Sequence, residues 1–369
     1  MSDPNVQNLI YLLRCAVGSA VPDREKISSM DLEAIYQLAQ RHTVTSAVGM
    51  ALERAGIRDE RFVKAVAMAQ RKNALLDADR AAILAKMEEA GIWYMPLKGS
   101  ILKDLYPRFG MREMADNDIL FDLFRLEDVR QIMKELGFSV KHRYSGINEA
   151  YIKEPVSSFE LHGTLFSNER RKDLSPYFSN VKDRLVRDEG KQFGYHFTDE
   201  DFYIYMIAHE YKHYSVGGMG VRSLMDTYVY LTRKTLDMDY VVREAEKIGI
   251  ADFERQNREL ALHLFEGVEL TQAEQNMLDY MVSSGTFGTL DQGVANEVSE
   301  KGRWGYFLSR LTLSRGAMKE IFPVLNKAPF LYPVFWSYRL IRGVFFRNRK
   351  FREQLKGVLG MNKTKDRPR

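Results

Sequence analysis

Apolar residues recur at helical spacing through the first ninety positions, and then the period changes. Leu32, Ile35, Tyr36 and Ala39 share one face of a first clear helix, and Phe62, Val66, Ala69, Leu76, Ile83 and Met87 mark the stripe of a longer one. Gly91 stops that helix. Residues 92–97 then read as a strand, 101–106 as a short helix and 118–121 as a second strand. Val129, Ile132, Met133 and Leu136 give the apolar face of a helix that follows Asp122 and ends at Gly137. Residues 138–144 and 150–153 read as a hairpin around Ser145-Gly146, and 158–162 alternates as another strand.

Beyond Leu161 the helical period returns. No proline falls between Pro176 and Pro323, as a long helical stretch requires. The clearest helix there opens at Thr198, with Asp201 as its reciprocal cap three residues on, and runs through Phe202, Tyr205, Met206 and His209. The pattern predicts an α+β chain in four parts. Residues 1–91 form an N-terminal helical region, 92–168 a small mixed-sheet core, 169–320 a second helical region and 321–369 a C-terminal tail.

Composition narrows the class. With 369 residues, 45% hydrophobic and 28% charged, the chain can bury a sizeable core, which excludes disorder over most of its length. Met1 is followed by Ser2, Asp3 and Pro4, Arg14 interrupts the first apolar run, and no uncharged apolar run reaches the roughly 18 residues of a membrane span. Cys15 has no second cysteine in the chain to pair with and suits a reducing compartment. A soluble cytoplasmic protein is expected.

The net charge of +4 divides unevenly, because residues 339–369 hold 11 Lys/Arg against Glu353 and Asp366, a tail of +9 on a body of −5. Around it, residues 328–356 interleave aromatics such as Phe330, Trp336 and Phe346 with Arg339, Arg342, Arg347, Arg349, Lys350 and Arg352. Two expectations stand for this segment. Either Trp336, Leu340 and Val344 pack on the body while the cations are solvated, or the tail binds an anionic surface, membrane or nucleic acid.

The chemistry concentrates in PLKGSILKDLYPRFGMREMADNDILFD, residues 96–122. Asp116 and Asp118 are two apart, so on a strand their carboxylates point to one side. Paired acids repel and call for a cation, and magnesium favours carboxylate oxygens while taking other ligands from substrate phosphates. Upstream, Lys98-Gly99-Ser100 lies where a strand turns into a short helix, so the backbone can approach an anion there. Arg112 is a second cation for the same anion. A third acid, Glu160, shares a strand face with Ser158 and His162 in SSFELHGTLF. Two acids on one strand and a third on a neighbour are the ligand set of a two-metal phosphoryl-transfer site.

These motifs resemble the uncharacterised bacterial nucleotidyltransferases of the polymerase-β-like superfamily. The resemblance rests on LKGSILKDLY, REMADNDILFD, FELHGTLF and, more loosely, AHEYKHY followed by VRSLMDTYVYL, over about residues 30–290. It implies a nucleotidyltransferase core in which Gly99 and Ser100 match the superfamily's glycine-serine turn, Asp116 and Asp118 its first metal-binding acids and Glu160 the third. The spacing from Ser100 to Asp116 is long for compact members. The implied reaction moves a nucleoside monophosphate from a triphosphate, ATP by default, to an acceptor hydroxyl with release of pyrophosphate, using two Mg2+ ions. Lys98, Gly99, Ser100 and Arg112 are then the nucleotide-binding residues. The bland alternative makes the same acids a solvated strand edge and Gly99 a turn.

A second constellation competes. HEYKH, residues 209–213, matches H-E-x-x-H, with His209 and His213 on one helical face as zinc ligands and Glu210 as base. The residues after His213 do not extend the motif, and Glu244 could serve as a distant third ligand of another class, with nothing distinctive around it. Otherwise the two histidines are acceptor-side groups or packed side chains. His162 either orients the third acid or packs, and it joins the acceptor-side candidates. Arg222 and Asp226, four apart, form an intrahelical ion pair or line the acceptor pocket. Gly217–Gly220 lacks a preceding strand and reads as a helix stop. The two rivals to nucleotidyl transfer are a catalytically silent nucleotide-binding or interaction protein and a zinc hydrolase built on HEYKH.

Overall fold

The computed structural model describes residues 3–18, 20–144, 146–167, 171–285, 315–322 and 324–345. The chain opens with helices α1 (Pro4–Val17), α2 (Arg24–Ser28), α3 (Leu32–His42), α4 (Thr45–Arg54) and the 30-residue α5 (Glu60–Glu89). Asp59 caps α5 by accepting from the Arg61 amide, and Phe62, Ala69, Leu76, Ile83 and Met87 are its buried stripe, as the periodicity predicts.

The mixed unit follows: β1 (Tyr94–Leu97), α6 (Gly99–Leu102), β2 (Asn117–Phe121), α7 (Leu126–Glu135), β3 (Ser139–His142), β4 (Asn148–Lys153) and β5 (Ser157–His162). The strands form one sheet in the order β1-β2-β5-β4-β3, with β2 and β5 parallel and the other pairs antiparallel. A short ribbon of β6 (Val186–Arg187) and β7 (Tyr195–His196) precedes α8 (Asp199–Val216), α9 (Val221–Arg233), α10 (Met238–Lys247), α11 (Ala251–Glu266) and α12 (Gln272–Ser284). Thr198 caps α8 as expected. Asp201, however, turns its carboxylate to Arg184 and Tyr240, not back to the cap.

Strand alternation sends the sheet's side chains to two environments. Ile119, Phe121, Phe159 and Leu161 pack with Leu76, Ile83 and Met87 of α5 and with Val129, Ile132 and Met133 of α7. On the other side Met95, Leu97 and Leu120 join a larger core built from α1, α3, α4, α8, α9, α11 and α12. The helices before and after the sheet therefore share one core, with Leu12 and Leu13 in the same cluster as Leu260 and Leu264. Burying that much apolar surface is the main stabilising contribution, at about 25 cal/mol per Å2.

Past residue 314, α13 (Arg315–Ile321), α14 (Val324–Lys327) and α15 (Tyr332–Phe345) are described, and Phe322 packs its ring on Phe335 at 4.9 Å. Arg347, Arg349, Lys350 and Arg352, on which the anionic-surface expectation largely rests, lie outside the described residues. So does the side-chain packing of Leu340 and Val344. Among the described residues no helix is long and apolar enough to cross a membrane.

Candidate active site

The site starts from strand register. Asp118 and Glu160 are direct partners in the β2–β5 ladder, so their side chains leave the same face of the sheet. His162, two residues beyond Glu160, shares that face, and Asp116 precedes β2 by one residue. The donor atoms of Asp118, Glu160 and His162 all lie within 4.8 Å of one another, the one such group of three or more metal-capable side chains among the described residues. His162 Nε2 is 2.7 Å from Asp118 Oδ1 and 3.5 Å from Glu160 Oε2, and the Asn148 amide donates to Glu160 Oε2 at 2.6 Å.

Lys98 supplies the nearest full positive charge, with Nζ 2.8 Å from Asp118 Oδ1. It sits between β1 and α6 with φ +49°, a left-handed conformation that a lysine adopts at a cost of about 1–3 kcal/mol. That turn leads into Gly99, where an added Cβ would lie 2.5 Å from Arg112 Nη1 and 2.9 Å from the Met114 sulfur. A side chain there would have to displace the Arg112 guanidinium or the Met114 thioether. Ser100 is buried and donates its hydroxyl to the Leu97 carbonyl at 2.7 Å, which closes the turn.

Helix α5 fixes the loop that delivers Asp116. Lys72 donates to the Ala115 carbonyl, Asn73 to the Arg112 carbonyl and Arg80 to the Asn117 side chain. These bonds tie the loop and the start of β2 to the helix whose apolar stripe packs beneath the sheet.

Electrostatics separates the three acids. Burial raises the Asp116 pKa to about 6, and repulsion from Asp118 and Glu160 adds to it. Burial works against ionisation of Asp118 too, but the Lys98 ammonium and His162 outweigh it and hold the group well below the usual carboxylate range. The hydrogen bond from His162 likewise lowers Glu160 against its burial. Specific neighbours thus favour the charged forms of Asp118 and Glu160, while Asp116 is pushed toward its neutral form.

A cavity of about 350 Å3 opens over this face. Lys98, Gly99, Arg112, Asp116, Asp118 and Glu160 line it, joined by His162, His209, His213, Arg222 and Asp226. The predicted site residues other than Ser100 therefore converge on one space, although they come from β1 through α9.

A model of a family described as uncharacterised nucleotidyltransferases matches residues 28–266. The chain belongs to that family. No curated protein and no solved structure matches it. The sheet, the acid face and the helices α8 and α9 that border the cavity all fall inside the matched span.

Two pairings differ from what the spacing suggests. Arg222 and Asp226 do not pair with each other, because Asp226 accepts a bidentate contact from Arg112, Nε to Oδ1 at 2.7 Å and Nη2 to Oδ2 at 2.8 Å. Tyr106 donates to the same carboxylate at 2.7 Å. The Arg112 charge is already neutralised within the protein. Arg222 reaches only the Glu113 carbonyl at 3.5 Å and has no carboxylate partner among the described residues.

The zinc arrangement is not assembled. His209 and His213 do share a face, with Nε2 atoms 3.2 Å apart. Glu210, however, is buried and accepts from Asn257 at 3.0 Å, and that burial raises its pKa. Glu244 lies on α10, held by Tyr177 and Lys247. Lys212, Tyr205 and Asn148 also line the cavity, although sequence reasoning gave them no role in it. Lys212 had a signal, being three residues after His209 on the same helical face.

Proposed function

We propose that this protein transfers a nucleoside monophosphate from a nucleoside triphosphate to the hydroxyl of an acceptor, releasing pyrophosphate, with Mg2+ as cofactor and ATP as the default donor. One observation carries the reading: Asp118 and Glu160 are register partners on parallel strands, beside Asp116, facing a cavity rimmed by cations. The carboxylate oxygens of Asp118, Glu160 and Asp116 fit magnesium, a hard ion that prefers oxygen. An imidazole nitrogen is a poor ligand for it, so His162 is assigned to orienting Asp118 and Glu160 through hydrogen bonds. When bound there, Mg2+ would polarise the α-phosphate and lower the pKa of the acceptor hydroxyl.

The chain's own groups carry the rest. The Gly99 backbone lets the triphosphate approach closely, and Lys98 and Arg222 offset its charge. Glu160, ionised in the resting site, takes the hydroxyl proton as the oxygen attacks the α-phosphorus. The bond from the α-phosphorus to the bridging oxygen breaks and pyrophosphate leaves. Arg112 holds Asp226 and is a positioning residue beneath Gly99.

The test is calorimetric titration of the full chain with a non-hydrolysable triphosphate and Mg2+. Binding that requires the metal and weakens in Asp118→Asn supports the reading. Binding indifferent to both would remove the assigned site.

A further inference from the structure

We propose that α8 carries the acceptor's binding site, and that the acceptor is a small phosphate-bearing alcohol whose phosphate is held by Lys212 with His209 and His213. The inference deepens the nucleotidyl-transfer reading and rests on it. His209, Lys212 and His213 stand at i, i+3 and i+4, on one face of α8, and all three line the cavity.

Lys212 is half-buried, yet its ammonium makes no hydrogen bond or ion pair among the described residues. A cation drawn partly out of water without a counter-ion is unfavourable until an anion arrives. Burial together with the Lys98 charge holds the Lys212 pKa down to about 8. Arg171 adds to that effect, Asp118 and Glu160 oppose it, and Glu210 of α8 is bound to Asn257 and Thr227.

Which anion this is follows from position. Lys212 lies in the field of Asp118 and Glu160, whereas Arg222 lies in that of Asp116 and Glu113. Two positive poles, Lys212 on α8 and Arg222 on α9, thus line the cavity with the acids. The triphosphate takes the pole formed by Arg222 and the Lys98-Gly99 turn. The acceptor hydroxyl must approach Glu160, its base, which leaves the Lys212 pole beside the acceptor. Lys212 and the two imidazoles lie on a single helical turn, His213 Nε2 being 3.2 Å from His209 Nε2, and a phosphate, with more charge and more terminal oxygens than a carboxylate, is the better match to them. The acceptor's phosphate stays intact in the reaction. Its hydroxyl oxygen bonds to the α-phosphorus, its proton goes to Glu160 and pyrophosphate leaves.

The test is calorimetry on the full chain saturated with Mg2+ and an α,β-methylene triphosphate, using inorganic phosphate as the probe. Wild type is expected to bind phosphate while the analogue stays bound. Lys212→Met should weaken phosphate binding by about tenfold or more, the loss of one charge-assisted contact, and leave the analogue's affinity within about twofold. Lys212→Arg, which keeps the charge, should retain phosphate binding and so separates charge from folding. Acetate binding as tightly as phosphate would overturn the phosphate assignment. Phosphate affinity unmoved by Lys212→Met, or phosphate displacing the analogue, would overturn the site. An analogue that binds while wild type takes up no phosphate defeats this inference alone. A wild type that binds no analogue defeats the nucleotidyl-transfer reading as well.

Discussion

Asp118 and Glu160 face each other across two parallel strands, and one imidazole, His162, reaches both carboxylates at 2.7 and 3.5 Å. The sheet's hydrogen-bond ladder sets this geometry. Ile119 and Leu161, which follow these acids in the two strands, point to the other face and are fully buried there.

The first prediction concerns the buried ion pair of the cavity. Arg112→Met should destabilise the protein by about 3–5 kcal/mol, because it leaves the Asp226 carboxylate without its bidentate partner. Urea denaturation reads the loss. Arg112→Met combined with Asp226→Leu should recover much of it, and an additive loss would show that Arg112 acts elsewhere.

Gly99 is the second. An alanine there pushes Arg112 or Met114 aside, and the overpacking should cost about 1–3 kcal/mol of stability. The same substitution should weaken triphosphate binding beyond any change in folding, measured by titration well below the melting temperature.

The third is pH dependence at Asp116. Its folded pKa of about 6 lies above the unfolded value of 3.8, so the metal-free protein loses stability as pH rises through this interval. A protonated Asp116 cannot hold a cation. Apparent Mg2+ affinity should therefore weaken as pH falls below about 6, and Asp116→Asn should flatten that dependence. Metal titrations across the interval decide it.

Lys212 gives the fourth, with the opposite sign. An amine whose pKa is lowered to about 8 is charged below that pH and neutral above it. Phosphate binding at α8 should hold at neutral pH and fade as pH rises beyond about 8, while Lys212→Arg shifts the loss to much higher pH.

Much of this site is legible in local sequence spacing. Alternation places Asp118 and Glu160 on strands, and helical period places His209 with His213, because both rules depend only on neighbours along the chain. The strand limits differ by a residue or two, as at β1, which begins at Tyr94 and not Ile92. What spacing does not encode is the choice among partners brought together by folding. Asp226 had a local candidate in Arg222 four residues away, yet it pairs with Arg112, 114 residues distant, because β1, the following loop and α9 meet at the cavity. That one exchange frees Arg222 and makes Arg112 a positioning residue. Spacing likewise sets Lys212 on the face of His209 and His213, and only the three-dimensional surroundings reveal that its ammonium has no counter-ion among the described residues.

The most direct measurement of the central claim is transfer of label from an α-phosphate-labelled nucleotide in the presence of Mg2+, screened across phosphorylated alcohols, with wild type beside Asp118→Asn. The account predicts a labelled product and pyrophosphate from wild type, and a loss of about a hundredfold or more in the variant, as expected when charge stabilisation of the transition state is removed. Equal turnover by the two proteins would contradict it.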